Sequence, residues 1–406
     1  MKIVIVGAGG AVGSVMANWL SRQPEYDEIV LAGRKKDTLK KALNDMKYKE
    51  RGKIAIVDAG NVNEMKKCFR GADMVVNSTL PRYFLKIMKA CLEANANYID
   101  MATDLAVMNE PPGKIVRRVP LDLQLEQDKQ WKKKDLSALL CWGMDPGAVN
   151  VFTRYAADGM DKVDEIKIRD GDKSYVKGFN EFYAPWSPDT LIEEVAYMNS
   201  LIWTKGHWER REPVTVQGIW DFPKPVGKLK VTLVDHEETQ TLPRFIGKGC
   251  KEMSFMLCLG DDWLNVVKAL RLVGLVDNKR VNARGVMVVP RDVVVACMKS
   301  PVDPKIQSKT IGNSCVGAAV YGSKGDKKFM HYIWNTMSHQ DCWKEYNATA
   351  TPTQVAIPTA IAVTLYAQGK IKERGVYPPE VLDAKMILKN FTKYGFKWHQ
   401  MKKSLN

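Results

Sequence analysis

The start of the chain constrains the fold most strongly, because an apolar run leads directly into a glycine-rich turn in MKIVIVGAGGAVGSVMANWL. The run Ile3 to Val6 predicts a buried strand, and Ser14 to Leu20 predicts a helix behind the turn. Backbone N–H groups at such a helix N-terminus attract an anion, and glycines let a phosphate approach. Val12 replaces the last glycine of G-x-G-x-x-G, so the spacing is G-x-x-G-x-x-G. The turn predicts a dinucleotide site; the alternative is an ordinary strand-to-helix turn.

A second apolar strand, Ile29 to Ala32, ends about twenty residues after the glycines, where dinucleotide folds contact the ribose. An acidic residue at that point favours NAD, whereas this chain continues with Gly33 and the basic run Arg34 to Lys36. An arginine offers a planar set of donors that match phosphate oxygens, although most basic runs are only solvated surface. The position favours contact between Arg34 and a 2′-phosphate, and therefore NADP over NAD.

The composition is that of a globular enzyme, with 45% hydrophobic and 26% charged residues in 406. This length predicts roughly two or three domains. The sequence has no apolar run of membrane-spanning length, and it starts on a strand rather than a charged leader. The eight cysteines form no C-x-x-C pair and the five histidines no metal-ligand spacing. We therefore expect a cytoplasmic protein without disulfides, metal or membrane segment.

The formal net charge of +15 favours anionic partners such as nucleotide cofactors, dicarboxylates or nucleic acids. The lysines are spread along the chain, apart from clusters at Lys132 to Lys134 and near the C-terminus. No nucleic-acid-binding motif accompanies them. We therefore expect a small-molecule substrate and no nucleic-acid partner.

In the first part of the chain, short apolar strands alternate with amphipathic helices, which predicts a parallel sheet with right-handed crossovers. Ile54 to Val57 and Met74 to Val76 read as strands, as do NYIDMATD and LSALLCWGMDPGAVN, and Phe84 to Ala94 reads as a helix. Ligands bind beyond the carboxyl ends of such strands. The residues predicted to contact the cofactor are Gly7, Gly9, Gly10, Ala11, Val12, Gly13, Gly33, Arg34, Lys35, Asp58, Asn77, Ser78, Thr79, Pro81 and Met144.

The pattern changes after about residue 150, where VDEIKIRD, KLKVTLVDHE and CKEMSFMLCL read as strands and Gly322–Asp326 as a hairpin turn. Together with a helix at Trp263 to Val273, they predict a second, α+β domain with a mixed or antiparallel sheet. The end of the chain is helical again. One helix is predicted to end at Gly369, and another to run from Pro379 to Lys389. We expect these helices to pack on the first domain.

Several segments together resemble the saccharopine dehydrogenase and saccharopine reductase family: the glycine turn, VVNSTLP, ANYIDMATD, GMDPGAVN and AIPTAIAVTLYAQGKIKERGVYPPE. Relatives in that family include lysine 6-dehydrogenases and carboxynorspermidine dehydrogenases. The likeness follows nearly the whole chain in order. Its middle part resembles the lysine 6-dehydrogenase and carboxynorspermidine branches at least as well as saccharopine reductase, which leaves the subfamily open.

The resemblance implies a Rossmann-type domain of residues 1–148 and 345–406, in which C-terminal helices complete the parallel-sheet unit. Residues 149–344 would form an inserted α+β domain with a mixed sheet, which binds substrate and makes a homodimer. The implied reaction is hydride exchange between a nicotinamide and the carbon of a C=N bond. We therefore expect an NADP-dependent oxidoreductase acting on a C–N bond of a lysine- or polyamine-related substrate.

Such chemistry needs a group near the reacting nitrogen that stabilises an iminium or takes its proton. Asp100, Asp104 and Asp145 each follow an apolar strand at the ligand edge. Asp104 and Asp145 have an alternative role as helix caps. Asp100 has the weakest structural explanation, since an unpaired buried carboxylate is costly. His236, on a predicted strand of the second domain, is a candidate proton relay or a surface histidine among acids.

Three residues of the second domain are candidate substrate contacts. Arg169 and Arg244 offer bidentate donors for a substrate carboxylate, or else form ordinary salt bridges. Trp186, between prolines in APWSP, would wall the substrate cleft or else pack in the core.

A protein of a different class would share many of these features. A non-catalytic NADP-binding protein that senses redox state could keep the fold and lose the chemistry. It would have no need to hold Asp100, Asp104 and Asp145 around one cleft, so their placement separates the two hypotheses.

Overall fold

The computed structural model describes residues 1–104, 108–179 and 183–405. Its strands are β1 (Lys2–Val6), β2 (Glu28–Gly33), β3 (Gly52–Ile56), β4 (Met74–Asn77), β5 (Asn97–Ile99), β6 (Ile115–Val116), β7 (Ser137–Leu139), β8 (Lys162–Val176), β9 (Ser200–Thr204), β10 (His207–Arg211), β11 (Gln217–Asp221), β12 (Lys228–Leu233), β13 (Glu252–Leu257), β14 (Val281–Ala283), β15 (Val286–Val288), β16 (Thr310–Lys324), β17 (Lys327–Ser338), β18 (Gly375–Tyr377) and β19 (His399–Ser404).

The α-helices are α1 (Ala11–Ser21), α2 (Lys36–Asp45), α3 (Val62–Cys68), α4 (Phe84–Ala94), α5 (Pro120–Leu125), α6 (Asp128–Lys133), α7 (Ala148–Asp158), α8 (Pro188–Ile192), α9 (Glu238–Ile246), α10 (Asp261–Leu272), α11 (Pro290–Cys297), α12 (Pro304–Gln307), α13 (His339–Tyr346), α14 (Ala350–Ala367) and α15 (Ala384–Lys393). A π-helical turn over Glu193–Tyr197 continues α8.

The first sheet has seven parallel strands in the order β18-β7-β5-β4-β1-β2-β3. The inner strand β1 is buried after its first residue, because the rest of KIVIV is apolar on both faces of the sheet. Strand β1 lies between β2 and β4, where the chain changes direction across the sheet and opens a crevice at the carboxyl edge. The predicted α/β, Rossmann-type sheet is confirmed, and α4 has the predicted bounds.

The C-terminal segment completes this first unit, as expected. Helix α14 packs on α1, and the hydroxyls of Tyr26 and Thr364 lie 2.9 Å apart in the contact. Strand β18 adds to the edge of the sheet beside β7. The last helix begins later than predicted, at Ala384, because Asp383 accepts hydrogen bonds from two first-turn amides. None of the described helices, α14 included, is long and apolar enough to cross a membrane.

The second sheet is mixed, which confirms the predicted second unit. Its order is β19-β17-β16-β8-β13-β9-β10-β6, with β12 also on β13 and β11 on β12. Strands β8 and β13 are parallel, whereas the other pairs are antiparallel. Five described strands of this sheet, β6, β9, β10, β11 and β19, were not predicted. The predicted strand KLKVTLVDHE ends at Leu233, so His236 lies in the loop before α9 and not on a strand.

Two short strands cross the predicted domain boundaries. Strand β19 lies within the C-terminal segment assigned to the Rossmann unit, yet it pairs with β17 of the second sheet. Strand β6 likewise leaves the N-terminal segment and pairs with β10. Each lies at one edge of the second sheet. There it pairs with backbone N–H and C=O groups of β17 or β10 that would otherwise be exposed at the sheet edge.

Candidate functional site

The glycine turn between β1 and α1 forms one wall of a large cavity at the carboxyl edge of the first sheet. Gly7 has a φ of +86°, which a residue with a Cβ rarely adopts. A Cβ at Gly13 would lie 2.6 Å from the Gly7 carbonyl oxygen, so glycine there permits close packing of α1. A Cβ at Gly10 would meet only that oxygen, at 3.2 Å. The turn therefore presents bare backbone at a helix N-terminus, which fits a bound pyrophosphate.

The cavity has a volume of 550 Å³ and runs from this turn to the second sheet. A volume of this size suits a cofactor together with a small substrate. The residues predicted to contact the cofactor that line it are Gly7, Gly10, Ala11, Val12, Gly33, Arg34, Asp58, Asn77, Ser78, Thr79 and Pro81.

The other four predicted cofactor contacts lie off the cavity wall. Gly9 packs against α2, because a Cβ there would overlap the Thr38 side chain. Gly13 lies behind the turn, and Lys35 is exposed just before α2. Met144 lines a smaller neighbouring cavity instead. These positions support the turn or lie beside it without facing the large cavity.

Arg34 lies at the cavity rim, where β2 has just ended. Its side chain is exposed and has no hydrogen bond or ion pair within the described part of the chain. A guanidinium in this position is available to an anion at the adenosine end of a dinucleotide.

At the opposite end of the cavity, carboxyl groups come from three separate segments: Asp145 after β7, Asp170 on β8 and Glu194 in the π-helical turn. Among the described residues, no donor makes a hydrogen bond to any of these carboxyl groups. Burial is the main cause that raises their pKa: well above the ordinary value for Asp145, to about 7 for Asp170 and to about 8 for Glu194. A region rich in acceptors and poor in donors suits a cationic ligand that brings its own N–H groups.

His236 lies beside these carboxyl groups, and its side chain is 10% exposed. Its ring stacks on Phe255 with centroids 3.7 Å apart, and Nδ1 is hydrogen-bonded to Glu238. Burial lowers the pKa of the imidazole, but Glu238, Glu237 and Glu194 outweigh that effect and raise it well above its ordinary value. The neighbouring acids therefore favour the protonated ring, and the residue is largely buried rather than the surface histidine of the alternative.

One set of side chains has the spacing of possible metal ligands, since single atoms of Glu194, His236 and Glu237 lie within 4.8 Å of one another. A metal needs a deprotonated imidazole nitrogen. Here the Nδ1 atom is engaged by Glu238, and the neighbouring acids favour the protonated ring. The arrangement fits a proton donor better than a metal ligand.

The carboxyl group of Asp145 does not cap the helix that follows it. The N-cap of α7 is Gly147, whose N–H donates to Asn150 Oδ1 at 2.8 Å. Asp145 faces the cavity instead. The alternative that Asp145 is a helix cap is therefore wrong.

Asp100 and Asp104 have structural partners and lie off the large cavity. Asp100 is fully buried and accepts hydrogen bonds from Cys141 N and Gln124 Nε2, both at 2.7 Å. Burial raises the pKa of its carboxyl to about 8. Asp100, predicted to have the weakest structural explanation of the three acids, therefore has a firm one, because the buried Cys141 N–H needs its carboxyl as acceptor. Asp104 accepts from Leu85 N at 3.2 Å in the first turn of α4, which is the capping role.

Neither predicted arginine reaches the cavity. Arg169 and Asp170 are successive residues of β8, so their side chains point to opposite faces of the sheet. Arg169 is buried on the far face, where it donates to the Ser254 carbonyl at 3.0 Å. Arg244 forms an ion pair with Asp122 at 2.7 Å. Arg244 therefore forms the ordinary salt bridge of the alternative. Within the described chain, Arg169 forms neither that nor a contact with the cavity and is hydrogen-bonded to Ser254 and to the Ile168 carbonyl.

Sequence reasoning missed two acids of the site, Asp170 and Glu194. Asp170, Asp172 and Ser174 are polar residues at every second position of β8. This spacing is visible in the sequence and indicates one polar face of a strand. Glu194 lies in an irregular turn without a comparable pattern. Trp186, predicted to wall the cleft, does line the cavity.

Family models match almost the entire chain in two parts. The model described as saccharopine dehydrogenase NADP binding domain matches residues 3–139, and that described as saccharopine dehydrogenase C-terminal domain matches residues 143–396. Carboxyaminopropylagmatine dehydrogenase from Synechocystis sp. is 28% identical, over 98% of this chain and 97% of its own. Carboxynorspermidine synthase from Vibrio cholerae is also 28% identical, over 99% and 97%.

A solved structure supports the fold. The apo form of saccharopine dehydrogenase (L-Glu forming) from Saccharomyces cerevisiae superposes with a TM-score of 0.69 and covers 99% of both chains. Its sequence identity to this chain is 12%, so the likeness concerns architecture alone.

Proposed function

Because the chain belongs to the saccharopine dehydrogenase family, we propose that it is an NADP-dependent oxidoreductase that reduces a C=N bond formed between an amine and a carbonyl compound. The observation that carries the proposal is one continuous cavity joining the glycine turn to Asp145, Asp170 and His236. A nicotinamide dinucleotide held at the turn would supply hydride at the acidic end. Asp100 and Asp104 do not join Asp145 at this cavity, so the three acids predicted to separate an enzyme from a cofactor-sensing protein are not brought together. The support comes instead from Asp145, Asp170 and Glu194, whose carboxyl groups are unpaired within the described chain and which a purely cofactor-sensing protein does not need.

The substrate side favours a polyamine-related amine over a lysine-type amino acid. Two relatives along the full chain have names that refer to carboxyaminopropylagmatine and carboxynorspermidine, which are amine compounds. The acidic end of the cavity would attract an amine with more than one positive charge. Arg169 and Arg244, the two arginines predicted to hold a substrate carboxylate, are engaged elsewhere.

For the cofactor, we propose NADP rather than NAD. The support is Arg34, which lies at the rim of the cavity without an ion-pair partner in the described chain. Asp58, which also lines the rim, accepts a hydrogen bond from Gly60 N at 2.9 Å and does not pair with Arg34. The 2′-phosphate would supply the missing anion for the guanidinium.

In the reaction, the protein's side chains would stabilise the positive charge of the iminium and donate one proton to its nitrogen. Reduction of an imine adds hydride to carbon and one proton to nitrogen. We assign proton donation to the His236 imidazolium, which the carboxylate of Glu238 stabilises in its charged form. Asp145, with no donor of its own, would stabilise the resulting iminium nitrogen before hydride arrives.

The direct test is NADPH oxidation, followed by absorbance, when amines and carbonyl compounds are offered together and separately. We expect turnover only with both partners, and faster turnover with diamines or agmatine than with lysine. NADPH binding without oxidation across polyamine-, lysine- and 2-oxo-acid-type pairs would favour the redox-sensing alternative.

We also propose a homodimer formed through the second domain. Apolar side chains are exposed at the end of α10 and on the hairpin β14–β15, among them Leu272 at 88%, Val273 at 65% and Val286 at 63%. Among the described residues, β14 and β15 pair only with each other, and a two-stranded hairpin alone is only marginally stable. Exposed apolar patches mark association surfaces. The molar mass measured by light scattering across a concentration series would show a dimer; a monomer at all concentrations would contradict it.

A further inference from the structure

A side lobe of 150 Å³ opens from the acidic end of the large cavity, and no step of the proposed reaction uses it. The two cavities share Asp145, Asp170 and Trp186 in their linings, so they adjoin at these residues, and we call this junction the passage. Beyond the passage the lobe extends along β8 to Asp172, which belongs to the lobe alone. A ligand whose reacting nitrogen lies at the passage would place its far end in this lobe.

Strand geometry sets the spacing of the lobe's polar groups. Asp170, Asp172 and Ser174 alternate with outward-facing residues on β8 and therefore lie on the same face. Residues two apart in a strand are separated by roughly 6.6 Å. The neighbouring strand β16 adds Ser314 and Val316 to the same wall, opposite Asp172 and Asp170 in the register. The lobe thus has one acid at its mouth and a second a short distance further in.

The charge on Asp172 is not balanced by its neighbour. Its Oδ2 accepts from His339 Nε2 at 2.9 Å, while His339 Nδ1 accepts from Ala350 N at 3.3 Å. Because Nδ1 accepts a hydrogen bond, the ring is the neutral tautomer with its proton on Nε2. The other oxygen of Asp172, Oδ1, is buried and has no hydrogen-bond partner.

The remaining lobe walls also suit a cation. Tyr183, Trp186 and Trp263 line it, and aromatic faces attract ammonium and guanidinium groups. Within the described chain no lysine or arginine lines the lobe, so a carboxylate would find no positive partner there. Leu257 and Val355 give the part next to the passage an apolar surface for methylene groups.

We propose that this lobe is a distal-cation subsite: it binds the second positive group of a linear diamine or guanidinoamine, with Asp172 as its anion. The proposal rests on the proposed function, since it assumes that the other nitrogen reacts at the passage. It makes Asp172 a specificity-determining residue that selects amines by the presence and distance of a second cation. The neutral His339 holds the Asp172 carboxylate in place.

The test measures binding, so that it does not depend on turnover. Isothermal titration calorimetry with the full chain and saturating NADP compares 1,4-diaminobutane, agmatine and 1-aminobutane. We expect the two dications to bind about ten- to hundredfold more tightly than the monoamine. In Asp172→Asn, which keeps an acceptor for His339, that preference should fall close to one. Asp164→Asn is the matched control, since Asp164 is on the same strand but pairs with Lys162 outside both cavities.

The outcomes separate this proposal from the proposed function. An unchanged diamine preference in Asp172→Asn, with a thermal midpoint like that of the parent, overturns the distal-cation subsite. An equal loss for diamines and monoamine also overturns it, because Asp172 would then act only on the fold. If 1,4-diaminobutane binds as expected but no amine and carbonyl pair oxidises NADPH, the subsite stands and the proposed reaction fails. The ratio of agmatine to 1,4-diaminobutane affinity identifies which cation the lobe prefers.

Discussion

The two ends of the large cavity are built in opposite ways. The glycine turn uses backbone from one short stretch, and its wall depends on absent side chains at Gly7 and Gly10. The acidic end uses side chains from three distant segments: Asp145 in the loop after β7 of the first sheet, Asp170 on β8 of the second sheet, and Glu194 in the π-helical turn. One end is fixed by local conformation, whereas the other exists only when the second sheet docks on the first. Substitutions at the two ends should therefore fail in different ways.

The largest expected effect is at the turn. In Gly10→Asp, a carboxylate would enter the space proposed for the pyrophosphate and repel it, so we expect NADPH binding to fall below detection by fluorescence titration. The fold should remain, since a Cβ at Gly10 meets only one oxygen at 3.2 Å. Gly218→Asp on β11, where a Cβ has open space, is the control for the added charge. Normal NADPH affinity in Gly10→Asp would make the turn purely structural.

The next largest effect is at the acidic end. Asp145→Asn removes the carboxyl group proposed to stabilise the iminium, whose positive charge favours the ionised form of Asp145, and we expect kcat to fall by roughly a hundred- to a thousandfold. NADPH affinity should stay within about twofold of the parent, which distinguishes this end from the turn. The decisive comparison is kcat beside the NADPH dissociation constant, and parental kcat would remove Asp145 from the mechanism.

A smaller effect sharpens the account of the cofactor end. Arg34→Ala removes the charge-assisted hydrogen bonds to a 2′-phosphate, so we expect kcat/KM for NADPH to fall about ten- to hundredfold. The value for NADH should hardly change. Lys35→Ala is a matched control, because Lys35 neighbours Arg34 but does not line the cavity. A parent enzyme that prefers NADH, or an unchanged NADPH-to-NADH ratio, would return the assignment to NAD.

The smallest effect concerns pH at the acidic end. The pKa of Asp170 is raised to about 7 and that of Glu194 to about 8, so both are largely neutral at pH 6 and largely ionised above pH 8. A primary amine stays protonated over this range. Affinity for 1,4-diaminobutane should therefore rise, by roughly tenfold, from pH 6 to pH 8. Calorimetry at several pH values measures it, and Asp170→Asn should flatten the rise; an affinity that falls with pH would contradict the argument.

The same contrast explains what the sequence could predict. The glycine turn, six of the seven strands of the first sheet and Arg34 follow from local signals: apolar runs, glycine spacing and a basic residue at a strand end. The seventh strand, β18, was not predicted. The acidic end was predicted only through Asp145 and His236. Successive side chains of β8 point to opposite faces, so Asp170 faces the cavity and Arg169 faces away from it. Which of the two faces the cavity depends on the register of β8 with its neighbouring strands, and the sequence does not show that register.

Asp100 shows the other limit of sequence reasoning. Its position at a strand end resembled that of a catalytic acid, yet its carboxyl is occupied by Cys141 N and Gln124. Those partners lie 41 and 24 residues away in sequence, so no local sequence pattern predicts these hydrogen bonds. Long-range hydrogen bonding, rather than the order of strands, separates a structural acid from a reactive one.

The unpaired carboxyl groups also make the empty protein less stable than its fold permits. A carboxyl whose pKa in the folded state exceeds its unfolded value of about 4 costs folding free energy as pH rises towards that raised pKa, and Asp145, Asp170 and Glu194 all belong to this class. A cation that binds these carboxylates in the folded protein raises the free energy of unfolding, so the amine substrate should stabilise the fold. Selection for thermal stability alone would therefore replace these acids. Their presence is the stability cost expected of a site kept for substrate binding and catalysis.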